Sequence, residues 1–195
     1  MRRKIRALAA LVVLSLGRTP AIPAADAGPP ARPEVTVLRV ATRGPDVFLK
    51  FELTGVLNPE LARKIEAGLE TTIRYEIRLY RQYRYWFDTF LDSRRYDVSV
   101  TFDPVTREYV VVETLDDKRL SRATTADFED VKRQLVSAEN LLAFRIRPEW
   151  PRRNLIVHMR AAFDSKYLFA FIPVDSRTSW KKSKKFVLPD SAGTP

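Results

Sequence analysis

At 195 residues, with 45% hydrophobic and 11% aromatic content, the chain holds material for one packed core and its tails. It contains no cysteine, which excludes disulfides, thiolate metal sites, a cysteine nucleophile and a lipid-modified N-terminal cysteine. Its 34 basic residues against 24 acidic ones give a net charge of +10, a balance that suits anionic partners.

The N-terminus reads as a secretory signal over residues 1–27. Arg2, Arg3, Lys4 and Arg6 form a positive leader, residues 7–16 an apolar run, and Ala25-Asp26-Ala27 a small-x-small cleavage site. Cleavage after Ala24 fits as well. The apolar run is short for a bilayer span, which needs about 20 residues, so an uncleaved anchor is the alternative and no transmembrane span is expected in the mature chain. The Arg2-Arg3 pair sits at the extreme terminus with no twin-arginine motif after it. Cleavage leaves 29 basic and 23 acidic residues, a charge of +6 instead of +10. Such a protein suits an anionic lipid, lipopolysaccharide, a cell-wall polymer or an envelope protein. Nucleic acid is not an expected partner outside the cytoplasm.

Residues 28–33, GPPARP, predict a flexible leader. A first strand follows over 34–41, with Val35, Val37 and Arg39 on one face and Leu38 and Val40 on the other. Arg43-Gly44-Pro45-Asp46 predicts a turn into a second strand over 47–53. Asn58-Pro59-Glu60 starts a short helix: asparagine caps, proline suits the first turn and glutamate complements the dipole. Leu61 and Ile65 share a face, and Gly68 closes the helix in the left-handed conformation.

Residues 71–87, TTIRYEIRLYRQYRYWF, are the stretch around which the chain is organised. Ile73, Tyr75, Ile77, Leu79, Tyr83, Tyr85 and Phe87 alternate with Arg74, Glu76, Arg78, Gln82 and Arg84. Period two predicts a half-buried antiparallel strand. A helix would align Ile73, Ile77 and Tyr80 but bring Arg84 next on that face. Seventeen residues far exceed the usual strand of about 5–6, so a bend or bulge is expected near Arg81–Gln82. The wet face carries Tyr80 and Trp86 among the arginines, either as cross-strand packing under arginine stems or as a ligand-facing surface.

A polar connection over 88–93 precedes a hairpin of strands 95–102 and 109–115, turned at Asp103-Pro104 and ended by Asp116-Asp117-Lys118. Thr124 or Thr125 opens a second helix over 126–136, with Phe128, Val131 and Leu135 on one face. Residues 141–146 fit helix or strand, and Pro148 and Pro151 break them. Strands follow over 154–163 and 167–174, and residues 189–195 are expected to be disordered. About seven strands to two helices without regular βαβ alternation predict a mainly β domain over 34–188. The expected form is an antiparallel β-sandwich or a strongly curled antiparallel sheet with two short helices, an α+β arrangement being the alternative.

Three segments together carry a resemblance: FELTGVLNPELARKIEAGLETTIRYEIRLYRQ, the hairpin YDVSVTFDPVTREYVVV and the late SWKKSKKFVL. In this order they resemble a bacterial family known only as domain of unknown function 4390. The resemblance implies an exported protein with a helix ending in glycine, a long arginine-rich strand and a late tryptophan-serine segment. It covers about residues 34–188, with Gly68, Arg78, Trp86, Trp180 and Ser183 at the matching positions. It brings no activity, cofactor or catalytic residue.

His158, the one histidine, lies between Val157 and Met159 on a strand and reads as structural. No HExxH, GxSxG, P-loop or dinucleotide fingerprint is present. Asp116-Asp117 reads as a turn, and Glu129-Asp130 as a solvated helix face. No cofactor, metal or catalytic residue is assigned. The expected function is a non-enzymatic binding or adapter domain of the cell envelope. The candidate surface is Arg74, Arg78, Tyr80, Arg84 and Trp86 with the tail Trp180, Lys181, Lys182, Lys184 and Lys185. The tail lysines read alternatively as guards of a sheet edge. A carrier of an apolar ligand, or a glycan hydrolase using distant carboxylates, are the other readings.

Overall fold

The computed structural model describes residues 32–163 and 177–189. The predicted signal, most of the leader, the strand expected at 167–174 and the last six residues lie outside the described residues. The elements run β1 (Glu34–Arg43), β2 (Asp46–Thr54), α1 (Pro59–Glu66), β3 (Thr71–Arg81), β4 (Thr89–Asp103), β5 (Glu108–Leu115), β6 (Lys118–Thr125), α2 (Phe128–Val136), β7 (Ser137–Arg145), β8 (Leu155–Phe163) and β9 (Lys181–Lys182). Every strand pairing is antiparallel. One sheet has the order β1-β2-β7 and the other β6-β5-β4-β3-β8-β9. The fold is therefore mainly β, two open antiparallel sheets with two short helices.

Local sequence explains most of these elements. Gly44 takes φ +59° in the tight turn between β1 and β2, a conformation without penalty only for glycine. The Asn58 carboxamide accepts from the Leu61 amide at 2.8 Å and caps α1, with Pro59 in its first turn. Gly68, at φ +78°, closes that helix, and its amide reaches the Ile65 carbonyl at 2.9 Å.

Five expectations need correction. In β1 the pairing slips between Val35 and Val37, so Val35 and Leu38 are the buried pair and simple alternation fails. The strand from Thr71 ends at Arg81, not at residue 87, and the register slips just before, between Leu79 and Tyr80. The chain turns over 82–88 and re-enters the sheet at Thr89, so most of the connection expected at 88–93 is strand. Helix α2 is capped by Asp127, whose carboxylate accepts from the Glu129 amide at 2.9 Å, instead of by Thr124 or Thr125. Those threonines end β6, an unexpected strand joined to β5 through Asp116 and Asp117 at φ +49° and +66°. The ambiguous 141–146 stretch belongs largely to β7.

The core lies between the sheets. Ile73, Tyr75, Ile77 and Leu79 of β3 meet Leu155, Val157, Met159 and Ala161 of β8 on the inner face. Phe51 of β2 reaches across to Tyr75, ring centroids 4.5 Å apart, and to Tyr96 at 6.1 Å. The buried Tyr75 hydroxyl donates to the Leu135 carbonyl of α2 at 2.6 Å. Burial, followed by the neighbouring Tyr96, raises the Tyr75 pKa well above the ordinary tyrosine value. Helix α1 packs on β4, and α2 on β4, β5 and β7.

The late segment runs along β8 with hydroxyls standing in for backbone acceptors. The Val157 amide donates to Ser183 Oγ at 3.0 Å and the Ala161 amide to Thr178 Oγ1 at 3.0 Å. Ser183 Oγ in turn donates to the Lys184 carbonyl at 2.8 Å. Ser183→Ala leaves a buried amide unpaired, and a loss of about 1–3 kcal/mol is expected in urea unfolding. Wild-type stability in that variant would show that the hydroxyl has no such part.

Candidate functional site

The outer face of β3 is a row of paired side chains. Arg74 forms a forked pair with Asp97 of β4, Nε–Oδ1 3.0 Å and Nη2–Oδ2 3.1 Å. That hydrogen bond, more than the charge of Asp97, raises the arginine pKa above its ordinary value. Glu76 accepts from Arg160 of β8 at 2.7 and 2.9 Å. The Trp180 ring lies beneath two guanidiniums, with Arg78 Cζ 4.6 Å and Arg160 Cζ 4.4 Å from its centroid. Tyr80 stacks on His158 at 4.6 Å and meets Phe90 edge-on at 5.7 Å. Buried His158 Nε2 has no hydrogen-bond partner among the described residues. Burial first, then the positive charges of Lys182 and Arg78, lower its pKa below 6.5, while Asp88 opposes them. The histidine is thus held neutral in a packed stack, an environment unlike that of a poised acid or base.

Among the expected surface residues, Arg74, Arg78, Tyr80 and Trp180 share this face. Arg74 is spent on Asp97, and Arg78 on Trp180. Lys181 lies 3.6 Å from Glu34, whereas Lys182, Lys184 and Lys185 have no ion pair among the described residues. Lys182 is opposite His158, and the bridge from Phe186 to Leu155 brings Lys184 and Lys185 to the end of the sheet where β3 stops at Arg81.

Trp86 and Arg84 are not on that face. They belong to the 82–88 turn, whose Gln82 amide is held by the Asn154 carbonyl at 2.7 Å. Trp86 is 81% exposed, Tyr85 82% and Phe87 96%, and Tyr83 and Phe90 are also exposed. Arg81 lies over the Tyr83 ring at 4.8 Å and Arg84 over Tyr85 at 5.4 Å. The sequence reading placed Tyr83, Tyr85 and Phe87 in the core; they form an exposed aromatic tip. The consecutive Tyr85-Trp86-Phe87, apolar on both parities, is the signal that a one-sided strand had ended. Arg160 and Glu76, which complete the Trp180 setting, carried no local signal.

A groove of about 650 Å³ opens elsewhere, among β4, β5, β6, α2 and β7. It is lined by Glu113, Asp130 and Glu139 as well as Leu120 and Leu142. Asp130 pairs with Arg133, Glu139 with Lys50 at 2.7 Å, and Glu113 faces the Tyr96 hydroxyl. This is a mixed surface trough, not an apolar ligand chamber. Among the described residues no group of three metal-ligating side chains converges, and no helix is long and apolar enough to cross a membrane.

No curated protein and no solved structure matches the chain. Residues 31–183 match the family described as "Domain of unknown function (DUF4390)", a range that takes in the helix-to-strand unit, the aromatic tip and the Trp180–Ser183 segment. By that match over most of its length, the chain belongs to the DUF4390 family.

Proposed function

We propose that this is an exported cell-envelope domain that works by binding an anionic envelope component, without catalysis. The observation that carries the reading is the concentration of cations at one end of the six-stranded sheet. Lys182, Lys184, Lys185, Arg84 and Arg153 have no ion pair there among the described residues; of the carboxylates at that end Asp92 is taken up by Arg94 and Asp88 lies beside His158, while carboxylates elsewhere are taken up by Arg74, Arg95, Arg133, Arg145 and Arg160. Export rests on the charged leader, short apolar run and small-residue site of the N-terminus. A basic patch on an exposed sheet end suits a surface better than a small ligand.

The test is co-sedimentation of the mature chain with phosphatidylglycerol vesicles at low and at physiological salt. Each lysine near an anionic surface contributes about 1 kcal/mol at low screening. Changing Lys181, Lys182, Lys184 and Lys185 together to glutamine is expected to weaken binding roughly a hundredfold, since Glu34 already offsets Lys181. Binding should also fall steeply with salt. Equal sedimentation of wild type and variant, with circular dichroism showing both folded, would reject the reading.

A further inference from the structure

We infer that the 82–88 turn is a membrane-contacting tip, inserting Tyr85, Trp86 and Phe87 into the interfacial layer of an anionic phospholipid bilayer. The inference rests on the reading above and adds an apolar anchor to it. Three consecutive large aromatics at 81–96% exposure are not the scattered surface hydrophobics that every protein carries. Tyr80, Phe90 and His158 form an aromatic base on the sheet, and the chain beyond it projects from the sheet's end.

Chemistry and shape favour a bilayer over a protein. Tryptophan, tyrosine and arginine together match the membrane–water interface, where rings sit at the headgroup level and guanidiniums meet phosphates. The three rings offer about 450–750 Å², less than the ~800 Å² per partner of a standard protein interface. For a bilayer, insertion of such a loop needs no flat complementary rim. The surrounding charge has the right sign. Arg84 is within the tip, Arg153 adjoins the Asn154 that holds its base, and Lys184 and Lys185 precede the bridge from Phe186 to Leu155. Asp88, at the foot of the turn beside His158, is the opposing charge. Cations at the headgroups and rings just below them form one amphipathic contact.

The experiment uses the mature chain with phosphatidylglycerol vesicles, phosphatidylcholine vesicles as control, and lipids brominated at graded acyl depth. A Trp150→Phe/Trp180→Phe protein leaves Trp86 as the sole tryptophan of the three. Its emission should shift to the blue on phosphatidylglycerol vesicles and be quenched most by the shallowest bromines. Trp86→Ser/Phe87→Ser should bind at least tenfold more weakly at every salt concentration, keep its salt sensitivity, and melt like wild type because both residues are exposed. If vesicles are bound and the lysine variant is defective, but Trp86 is neither shifted nor quenched, the tip is not inserted and only the electrostatic reading survives. If no vesicle is bound, both fall. A self-association abolished by the tip variant, or a protein cross-linked at position 86 without vesicle binding, would assign the tip to a protein contact and overturn the inference.

Discussion

Ile77→Asp is expected to unfold the domain under conditions in which Arg78→Asp remains native. The residues are adjacent on the central strand β3 but face opposite ways. Ile77 is fully buried, opposite Arg94 of β4 and Met159 of β8. An unpaired carboxylate there costs several kcal/mol, against a total stability of about 5–15 kcal/mol for a typical domain. Arg78 is half-buried over Trp180, and its replacement forfeits a cation–π contact worth about 1 kcal/mol or less. At about 2–4 °C per kcal/mol for a chain of this size, melting curves should separate the two variants by 10 °C or more. Equal losses would mean that the facing of β3 is wrong.

Phe51→Ala is expected to be the next most damaging change, at about 3–5 kcal/mol. Phe51 is the ring through which the three-stranded sheet meets Tyr75 and Tyr96 of the six-stranded one. Removing it leaves a cavity that two sheets pinned by their own ladders cannot collapse to fill. Phe51→Leu keeps most of the volume and should lose clearly less. Val105→Ala, at a site 90% exposed in a turn, should stay within about 0.5 kcal/mol of wild type. Urea midpoints of the three variants rank them; a Phe51→Ala value near that of Val105→Ala would refute the described inter-sheet packing.

Much of the fold was legible because local signals and burial agree. Asn58-Pro59-Glu60, the alternation of Ile73 to Leu79 and the β4–β5 hairpin each say the same thing at two levels. Failures occurred where a strand has no buried side. Residues 118–125, KRLSRATT, form an edge strand exposed along most of its length, so its pairing with β5 left no apolar period to read. In β7, register shifts break the alternation of Leu141 to Phe144. The tip failed for the opposite reason. Tyr83, Tyr85 and Phe87 continue the period of β3, but the pairing of β3 with β8 ends at Arg81 and Leu155. Periodicity reports which residues share a face, and only a partner strand decides whether that face is covered. The basic tail was legible by composition. The stacking of Trp180 against Arg160 required the pairing of β8 with the late segment, and the second guanidinium, Arg78, required the pairing of β3 with β8, elements separated by most of the domain.

Hydrogen exchange of the mature chain, with and without phosphatidylglycerol vesicles, tests most directly where this protein binds. Protection is expected over 81–90 and 181–186, with the groove lined by Glu113, Asp130 and Glu139 unchanged. Protection centred on that groove, or no protection anywhere, would contradict a binding surface built from the aromatic tip and the basic tail.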